Sequence, residues 1–205
     1  MPSAKDYEAK PLPFDQDLEG ISKKTLEIHH DKLYQGYVNK LKEVATKLSQ
    51  SDSLFESANQ TFSDLRGLRD GETFAANGVY LHEYYFQALG GDGVPQGPLA
   101  DDLAAKWGSI EKFIAYFTAS GLAARGWVVL CRDLQLERLK VYSCDAHNQG
   151  GVWGCLPILV LDVYEHAYFM DFGADRKAYI NSFFKNLNWD RLNSLYEKAK
   201  SISLK

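Results

Sequence analysis

An aspartate and a histidine four residues apart, Asp162 and His166, form the pair in this sequence best suited to chemistry. They follow the apolar run 155–161, whose shortness and polar ending predict a buried strand. An unpaired carboxylate at the end of such a strand is costly to bury, so Asp162 needs a partner, and a cation is the simplest one. Carboxylate and imidazole together suit manganese, iron or zinc. The alternative is an aspartate that caps a turn, with a surface histidine beside it.

Two further histidines lie on the apolar faces of two predicted helices. Ser22 is a suitable N-cap for a helix over 23–48, and His29 falls on its apolar stripe at three- and four-residue steps. The other members of that stripe are Leu26, Leu33, Tyr37, Leu41 and Val44. His82 falls on the apolar face of a second helix, predicted over 72–89. That face also carries Ala75, Gly78, Tyr85, Phe86 and Leu89.

These four residues together predict a metal site. A single buried histidine is more often a hydrogen-bonded core residue than a ligand. Three of them beside one carboxylate offer a divalent or trivalent cation four ligands and leave an open position for water and substrate. Spacing along the chain does not by itself show that the four side chains meet.

The remaining patterns predict an α+β fold in two domains. The glycine- and proline-rich segment 90–98 is the clearest linker and separates a helical domain, residues 1–92, from a mixed α/β domain, residues 93–205. The second domain begins with two or three helices, one of them capped by Ser109. Period-two alternation over 127–134 and 138–144 predicts an antiparallel hairpin, which the strand ending at residue 161 completes as a three-stranded sheet. Helices are predicted over 176–185 and 189–200.

Composition indicates a soluble cytoplasmic protein. The chain has 205 residues and a net charge of −4, and it has no cluster of basic residues that would favour nucleic acid. No segment approaches the length of an apolar membrane span, and the first residues lack the apolar core of a signal peptide. The three cysteines are odd in number and have no Cys-x-x-Cys spacing, which is typical of reduced intracellular thiols.

Motifs spread over nearly the whole chain resemble the iron/manganese superoxide dismutase family, in the right order. They are the segment 25–32, Tyr37-Val38-x-x-Leu41, Asn77-Gly78-x-x-x-His82, Gly126-Trp127, Asp162-Val163-Tyr164-Glu165-His166-Ala167-Tyr168 and Asn188-Trp189. The resemblance implies a helical hairpin domain followed by an α/β domain with a three-stranded sheet. It also implies one iron or manganese ion per chain, bound by His29, His82, Asp162 and His166 with a solvent molecule as fifth ligand.

The implied activity is the conversion of two superoxide anions and two protons into dioxygen and hydrogen peroxide. By resemblance Tyr37 is a gate for protons, although it could be only an aromatic core residue. Lys32 and Arg176 match the residues that draw the anion towards the metal, although either could be a solvated surface charge. Glu165 matches the residue that bonds the ligand histidine of another subunit, which implies a homodimer or a tetramer.

The chain departs from the commonest family pattern around the metal-bound solvent. The usual glutamine donor is missing from the helix, where Gly78 stands, and its strand-side counterpart is His147, with Gln149 as a rival. We expect Gly78 to leave room for His147. Such a donor tunes the metal's reduction potential, so the preference between iron and manganese stays open.

Other departures concern the walls of the pocket. Leu33 stands where a gateway histidine is common, and Phe169 where its tyrosine partner from the other subunit is common. Phe86 and Tyr164 replace frequent tryptophans, whereas Trp127 is retained. Two other functions remain possible at this stage: a non-catalytic metal-binding member of the same fold, and a zinc hydrolase, which the lack of a His-Glu-x-x-His helix disfavours.

Overall fold

The first long helix is interrupted by a π-helical turn that begins at His29, the candidate metal ligand on this helix. The computed structural model describes residues 7–50 and 52–204. After an irregular arm comes α1 (Lys23–Ile28), which is capped by Ser22 as predicted. The Ser22 side chain accepts a hydrogen bond from the Thr25 amide. A π-helical turn, His29–Tyr34, then leads into α2 (Gln35–Ser49).

The π turn corrects the predicted apolar stripe of this helix. A π turn contains an extra residue, so the buried positions directly around it are displaced by one, whereas Leu41 and Val44 further along are buried as predicted. Tyr34 and Val38 are buried, whereas Leu33 and Tyr37 are only partly covered. The displacement brings Tyr37 to the edge of the core rather than into its centre.

The second long helix is longer than predicted. After a short α3 (Ser53–Glu56), α4 runs from Asp64 to Ala88 and packs against α2 to form the helical hairpin. The predicted start at residue 72 is wrong, because the first turns of α4 are mostly polar and exposed and carry only two partly buried apolar residues, Leu65 and Leu68. Ser63 caps the true start by accepting a hydrogen bond from the Arg66 amide.

The glycine-rich segment after α4 is hydrogen-bonded to residues 186–187 in the second domain. The amides of Gly91 and Gly93 donate to the carbonyls of Asn186 and Leu187, at 3.0 and 3.1 Å. Two helices follow, α5 (Gly97–Trp107) and α6 (Ile110–Ala123), the second capped by Ser109 as predicted.

The sheet has three antiparallel strands, as predicted, and their order is β2-β1-β3. They are β1 (Trp127–Asp133), β2 (Arg138–Cys144) and β3 (Cys155–Asp162). The central strand β1 is almost entirely buried, and its register sets Trp127 directly opposite Asp162. This pairing puts an indole ring beside the candidate carboxylate ligand.

The chain ends in helices that cover the sheet and the hairpin. A 3₁₀ turn (Glu165–Ala167) and a short α7 (Phe169–Phe172) follow β3 and lead into α8 (Arg176–Lys185) and α9 (Trp189–Lys200). One continuous apolar core joins hairpin, sheet and helices, and α4 packs directly on β3. The architecture is therefore the predicted α+β fold, a helical hairpin followed by a three-stranded antiparallel sheet with helices. Within the described residues, no helix has both the length and the apolar character needed to cross a membrane.

Candidate metal centre

Four side chains from three separate segments meet at the junction of hairpin and sheet. His29 comes from the π turn, His82 from α4, and Asp162 and His166 from the end of β3 and the turn after it. One ligand atom from each lies within 4.8 Å of every other. The Oδ2 atom of Asp162 is 3.1 Å from the Nε2 atoms of His29 and His166 and 3.7 Å from that of His82. His29, His82 and Asp162 are completely buried.

The hydrogen bonds of His82 leave its inner nitrogen free to bind a cation. Its Nδ1–H donates to the carbonyl of Gly78, one turn earlier on α4, at 2.5 Å. The neutral ring then carries a lone pair on Nε2, which is buried and has no hydrogen-bond partner among the described residues. A carbonyl that fixes the tautomer of an imidazole in this way is the usual support of a metal-binding histidine. Three imidazoles and one carboxylate fit iron or manganese.

Burial keeps the helix-borne imidazoles of this cluster neutral. It lowers the pKa of His82 to about 3 and lowers that of His29 as well. Burial opposes ionisation of Asp162, but the neighbouring His166 and hydrogen bonds from His166 and His29 outweigh it and hold the pKa of this carboxyl well below its usual range. His166 behaves in the opposite way: burial disfavours its cation, yet the Asp162 carboxylate raises its pKa. The cluster is thus a carboxylate anion among imidazole donors, which attracts a cation.

We expect the metal-free protein to lose stability steadily as the pH falls from 7 to 5. Folding lowers the pKa values of His29, His82 and His147 below their ordinary value of 6.5. At a pH below 6.5 but above these lowered values, the unfolded chain therefore binds more protons than the folded one. His166, with its raised pKa, contributes the opposite sign and cancels part of this effect. The free energy of unfolding should fall by about 2 to 4 kcal/mol over this range.

Urea unfolding of chelator-treated protein at pH 7, 6 and 5 measures this dependence. The His82→Gln variant should show a flatter pH profile, because one of the buried imidazoles is gone. A free energy of unfolding that stays constant or rises on acidification contradicts the expectation.

The Asp162 carboxylate and carbonyl are held by Tyr164 and by Tyr179, and the sequence patterns did not single out Tyr179. The Tyr164 amide donates to Oδ1 of Asp162 at 2.9 Å, leaving Oδ2 for the cluster. The Tyr179 hydroxyl donates to the Asp162 carbonyl at 2.8 Å and lies 3.2 Å from the Tyr85 hydroxyl. Tyr85 in turn packs on the His29 ring. Tyr179 lies on the buried face of α8, and nothing in its local sequence distinguishes it from an ordinary core aromatic.

Aromatic rings enclose the four ligands, as the sequence suggested. Phe86 packs against His29 with ring centroids 5.1 Å apart, and Trp127 meets His82 edge to face at 5.0 Å. Tyr164 stacks on His166 at 5.3 Å, in space that Gly126 leaves open beneath it. Leu33 is only partly buried at the edge of the π turn.

Of the two rival donors, His147 is the one inside the protein. It is buried and its Nδ1 accepts a hydrogen bond from the Trp127 indole at 2.9 Å. Because an indole N–H can only donate, the proton of the neutral imidazole must sit on Nε2. Burial lowers the pKa of His147 to about 4, so the neutral form prevails at neutral pH. Gln149 is exposed, and its backbone N–H donates a hydrogen bond to the Ala146 carbonyl.

The space beside Gly78 is occupied by Tyr37, not by His147, so the predicted pairing is wrong. A Cβ at position 78 would lie 2.7 Å from Cδ1 of the Tyr37 ring. Tyr37 then contacts His147 on its other side, edge to face with centroids 4.6 Å apart, and lies 5.3 Å from His82. The Tyr37 ring takes the room that the missing Cβ provides.

The charged residues named from the sequence are exposed or partly buried. Lys32 is exposed on the π turn. Arg176 is partly buried, donates to the Ala124 carbonyl at 2.8 Å and lies against Tyr168. Glu165 is exposed. Arg176 and Glu165 line a surface recess into which His166 also opens.

Comparison with known proteins gives one consistent result over nearly the whole chain. A family model described as iron/manganese superoxide dismutases, alpha-hairpin domain, matches residues 6–90, and one described as the C-terminal domain of the same enzymes matches residues 95–195. A superoxide dismutase [Fe] of Aquifex aeolicus is 42% identical over 90% of this chain and 88% of its own length. A superoxide dismutase [Mn] of Halobacterium salinarum is 38% identical over 95% of this chain and 96% of its own.

Proposed function

Since this chain belongs to the iron/manganese superoxide dismutase family, we propose that His29, His82, Asp162 and His166 bind its metal ion. The proposal rests mainly on one observation, the approach of these four donor atoms to within 4.8 Å of one another in a buried aromatic pocket. The free lone pair of His82 and the carboxylate of Asp162 supply what a cation requires. Relatives named as iron and as manganese enzymes are both similar to the chain, so the family relation leaves either metal open.

The protein is an iron- or manganese-dependent superoxide dismutase, an oxidoreductase acting on superoxide. When bound, the ion supplies the one-electron oxidation and reduction that turn two superoxide anions and two protons into dioxygen and hydrogen peroxide. The chain must therefore hold the ion, admit a small anion and deliver protons. Protein loaded separately with iron and with manganese should remove superoxide in at least one form. A loaded protein that leaves superoxide untouched would instead support a non-catalytic, metal-binding function.

His147 is proposed to present a hydrogen-bond donor to the metal pocket. The Trp127 indole occupies Nδ1 and thereby keeps the imidazole proton on Nε2. With a pKa lowered to about 4, the ring neither brings a second positive charge to the site nor loses its donor at neutral pH. An imidazole with a fixed tautomer does what an amide donor would do at this position, and it tunes the proton affinity of the site.

The Trp127→Phe variant tests this role of the indole. Without the indole N–H, His147 Nδ1 can take the proton and the donor on Nε2 is no longer fixed. We expect activity about 10- to 100-fold lower with metal content unchanged, since outer-shell partners typically have effects of this size. The control is Trp189→Phe, which removes an equally buried indole whose N–H has no partner among the described residues. Equal losses in the two variants would contradict the proposal.

Tyr37 is proposed to hold a proton at the entrance of the pocket. Burial, and then the negative charge of Asp162, raise the pKa of its hydroxyl to about 12. The hydroxyl therefore stays protonated at physiological pH and can donate towards the pocket. Its edge-to-face contact with His147 brings the two proposed proton donors together.

Substrate guidance is proposed for Lys32 and Arg176. A chain with a net charge of −4 attracts an anion only through local positive charge near the site. Lys32 is exposed on the turn that carries His29, and Arg176 lines the recess beside His166. The hydrogen bonds of Arg176 to the Ala124 carbonyl and to Tyr168 fix the direction of its guanidinium.

Further proposals concern assembly, location and domain limits. We propose a homodimer, with tetramers as an alternative, in which Glu165 of one subunit bonds His166 of the other. We also propose an antioxidant role in the cytoplasm, because Cys131, Cys144 and Cys155 are all free thiols, as in a reducing compartment. The domain limit between residues 92 and 93 is supported by the glycine-rich segment, although its amides bond the second domain.

A further inference from the structure

An arginine that the sequence motifs did not single out shares the recess beside the metal centre. Arg125, directly before Gly126 and Trp127, lines a cavity of about 470 Å³ together with Glu165, His166 and Arg176. The side chains of Arg125 and Glu165 are exposed, and neither forms an ion pair or a side-chain hydrogen bond with any residue from 7–50 or 52–204. One cation and one anion therefore lie unpaired in the same recess.

Such an arrangement suits contact with a second copy of the same chain. In a two-fold dimer, residue i of one subunit meets residue j of the other, and j meets i. A recess that exposes both an arginine and a glutamate is therefore complementary in charge to its own copy. Phe169 and Met170 follow Glu165 closely in the chain and are large apolar side chains that are about half exposed, 56% and 49%, and exposed side chains of this kind are common in interfaces.

We propose that Arg125 binds Glu165 of the partner subunit and holds its carboxylate against the His166 ring. The inference rests on the proposed homodimer. A carboxylate has two oxygens, so one can accept from the Arg125 guanidinium while the other accepts from the imidazole. Nε2 of His166 is directed towards Asp162, and Nδ1 is the ring nitrogen that remains for such a bond. Arg125 is then a positioning residue for the second coordination layer of the metal centre in the partner subunit.

Reversal of each charge, alone and together, tests the pairing. Arg125→Glu brings two carboxylates together twice in each dimer, and Glu165→Arg brings two guanidinium groups together twice. Each single variant should raise the dimer dissociation constant at least about 100-fold, from roughly tenfold for each of the two symmetric contacts. The double variant, Arg125→Glu with Glu165→Arg, restores opposite charges across the interface and should return to within about tenfold of the wild-type constant.

The measurements are light scattering and sedimentation of the metal-loaded full chain over a range of concentrations. Arg138→Glu is the control, since it makes the same charge change at an exposed arginine at the start of β2. Circular dichroism melting curves must match the wild type, so that weaker assembly is not confused with unfolding.

Three outcomes overturn the inference, and they can be told apart. A wild-type chain that stays monomeric at all concentrations rejects the proposed dimer and the inference with it. A wild-type dimer with an Arg125→Glu variant of unchanged dissociation constant rejects the Arg125 contact alone. The Arg125 contact is also rejected if the double variant dissociates as readily as the single variants, because residues 125 and 165 then do not pair with each other across the interface.

Discussion

Replacement of Asp162 by asparagine is expected to abolish superoxide dismutation through loss of the metal. The amide keeps the size and shape of the side chain but removes the negative charge that faces three imidazole nitrogens, two of them 3.1 Å away. Three neutral imidazoles alone bind a divalent or trivalent cation far more weakly than the same set with a carboxylate. We expect activity to fall by more than about 100-fold, since even outer-shell changes reach that size.

Metal analysis alongside the superoxide assay distinguishes the cause of that loss. The Asp162→Asn protein should contain little iron or manganese after loading and extensive dialysis, whereas the wild type should retain about one ion per chain. The control is Asp133→Asn, at the other end of β1, where a buried carboxylate accepts from the amides of Gln135 and Leu136. That variant should be less stable but keep its metal. Full metal content in Asp162→Asn protein would reject Asp162 as a ligand.

The residues of the candidate centre could be predicted because each one follows from a local pattern. A histidine within a helical apolar stripe faces the core, and an aspartate at the end of an apolar run lies where a buried strand ends. Each of these placements depends on the residue's own segment, and burial then leaves such polar groups few partners other than one another. The fold class followed in the same way, from two helical periods, two stretches of alternation and one continuous apolar run.

The parts that could not be predicted depend on contacts between segments. The π turn at His29–Tyr34 has an ordinary helical sequence, so no local pattern marks it. The first turns of α4 from Asp64 are mostly charged or glycine, and the two leucines among them are too few to mark a helical period. The neighbour of Gly78 was predicted wrongly because spacing shows that a side chain approaches the glycine but not which one does. That identity is set by the packing of α2 against α4.

The approach of Tyr37 to Gly78 makes the Gly78→Ala substitution damaging, although alanine is the better helix former. Within a helix, alanine is favoured over glycine by about 1 kcal/mol. The added methyl group would lie 2.7 and 2.8 Å from Cδ1 and Cγ of Tyr37, atoms near the base of the ring that cannot move without the whole side chain. Overpacking of this kind costs typically about 1 to 3 kcal/mol.

The ring of Tyr37 has little room to move, since His147 lies on its other side. We therefore expect Gly78→Ala to lower the free energy of unfolding by about 1 to 2 kcal/mol overall, because the clash exceeds the helical gain. Activity should fall as well, because Tyr37 and His147 are displaced together. The matched control is Gly71→Ala, two turns earlier on α4, where the added methyl group meets only Val44 at an ordinary 3.9 Å. That variant should be about 0.5 to 1 kcal/mol more stable than the wild type and fully active. Urea unfolding and superoxide assays of both variants measure the contrast, and a Gly78→Ala protein as stable and active as Gly71→Ala would mean that Tyr37 does not lie against position 78.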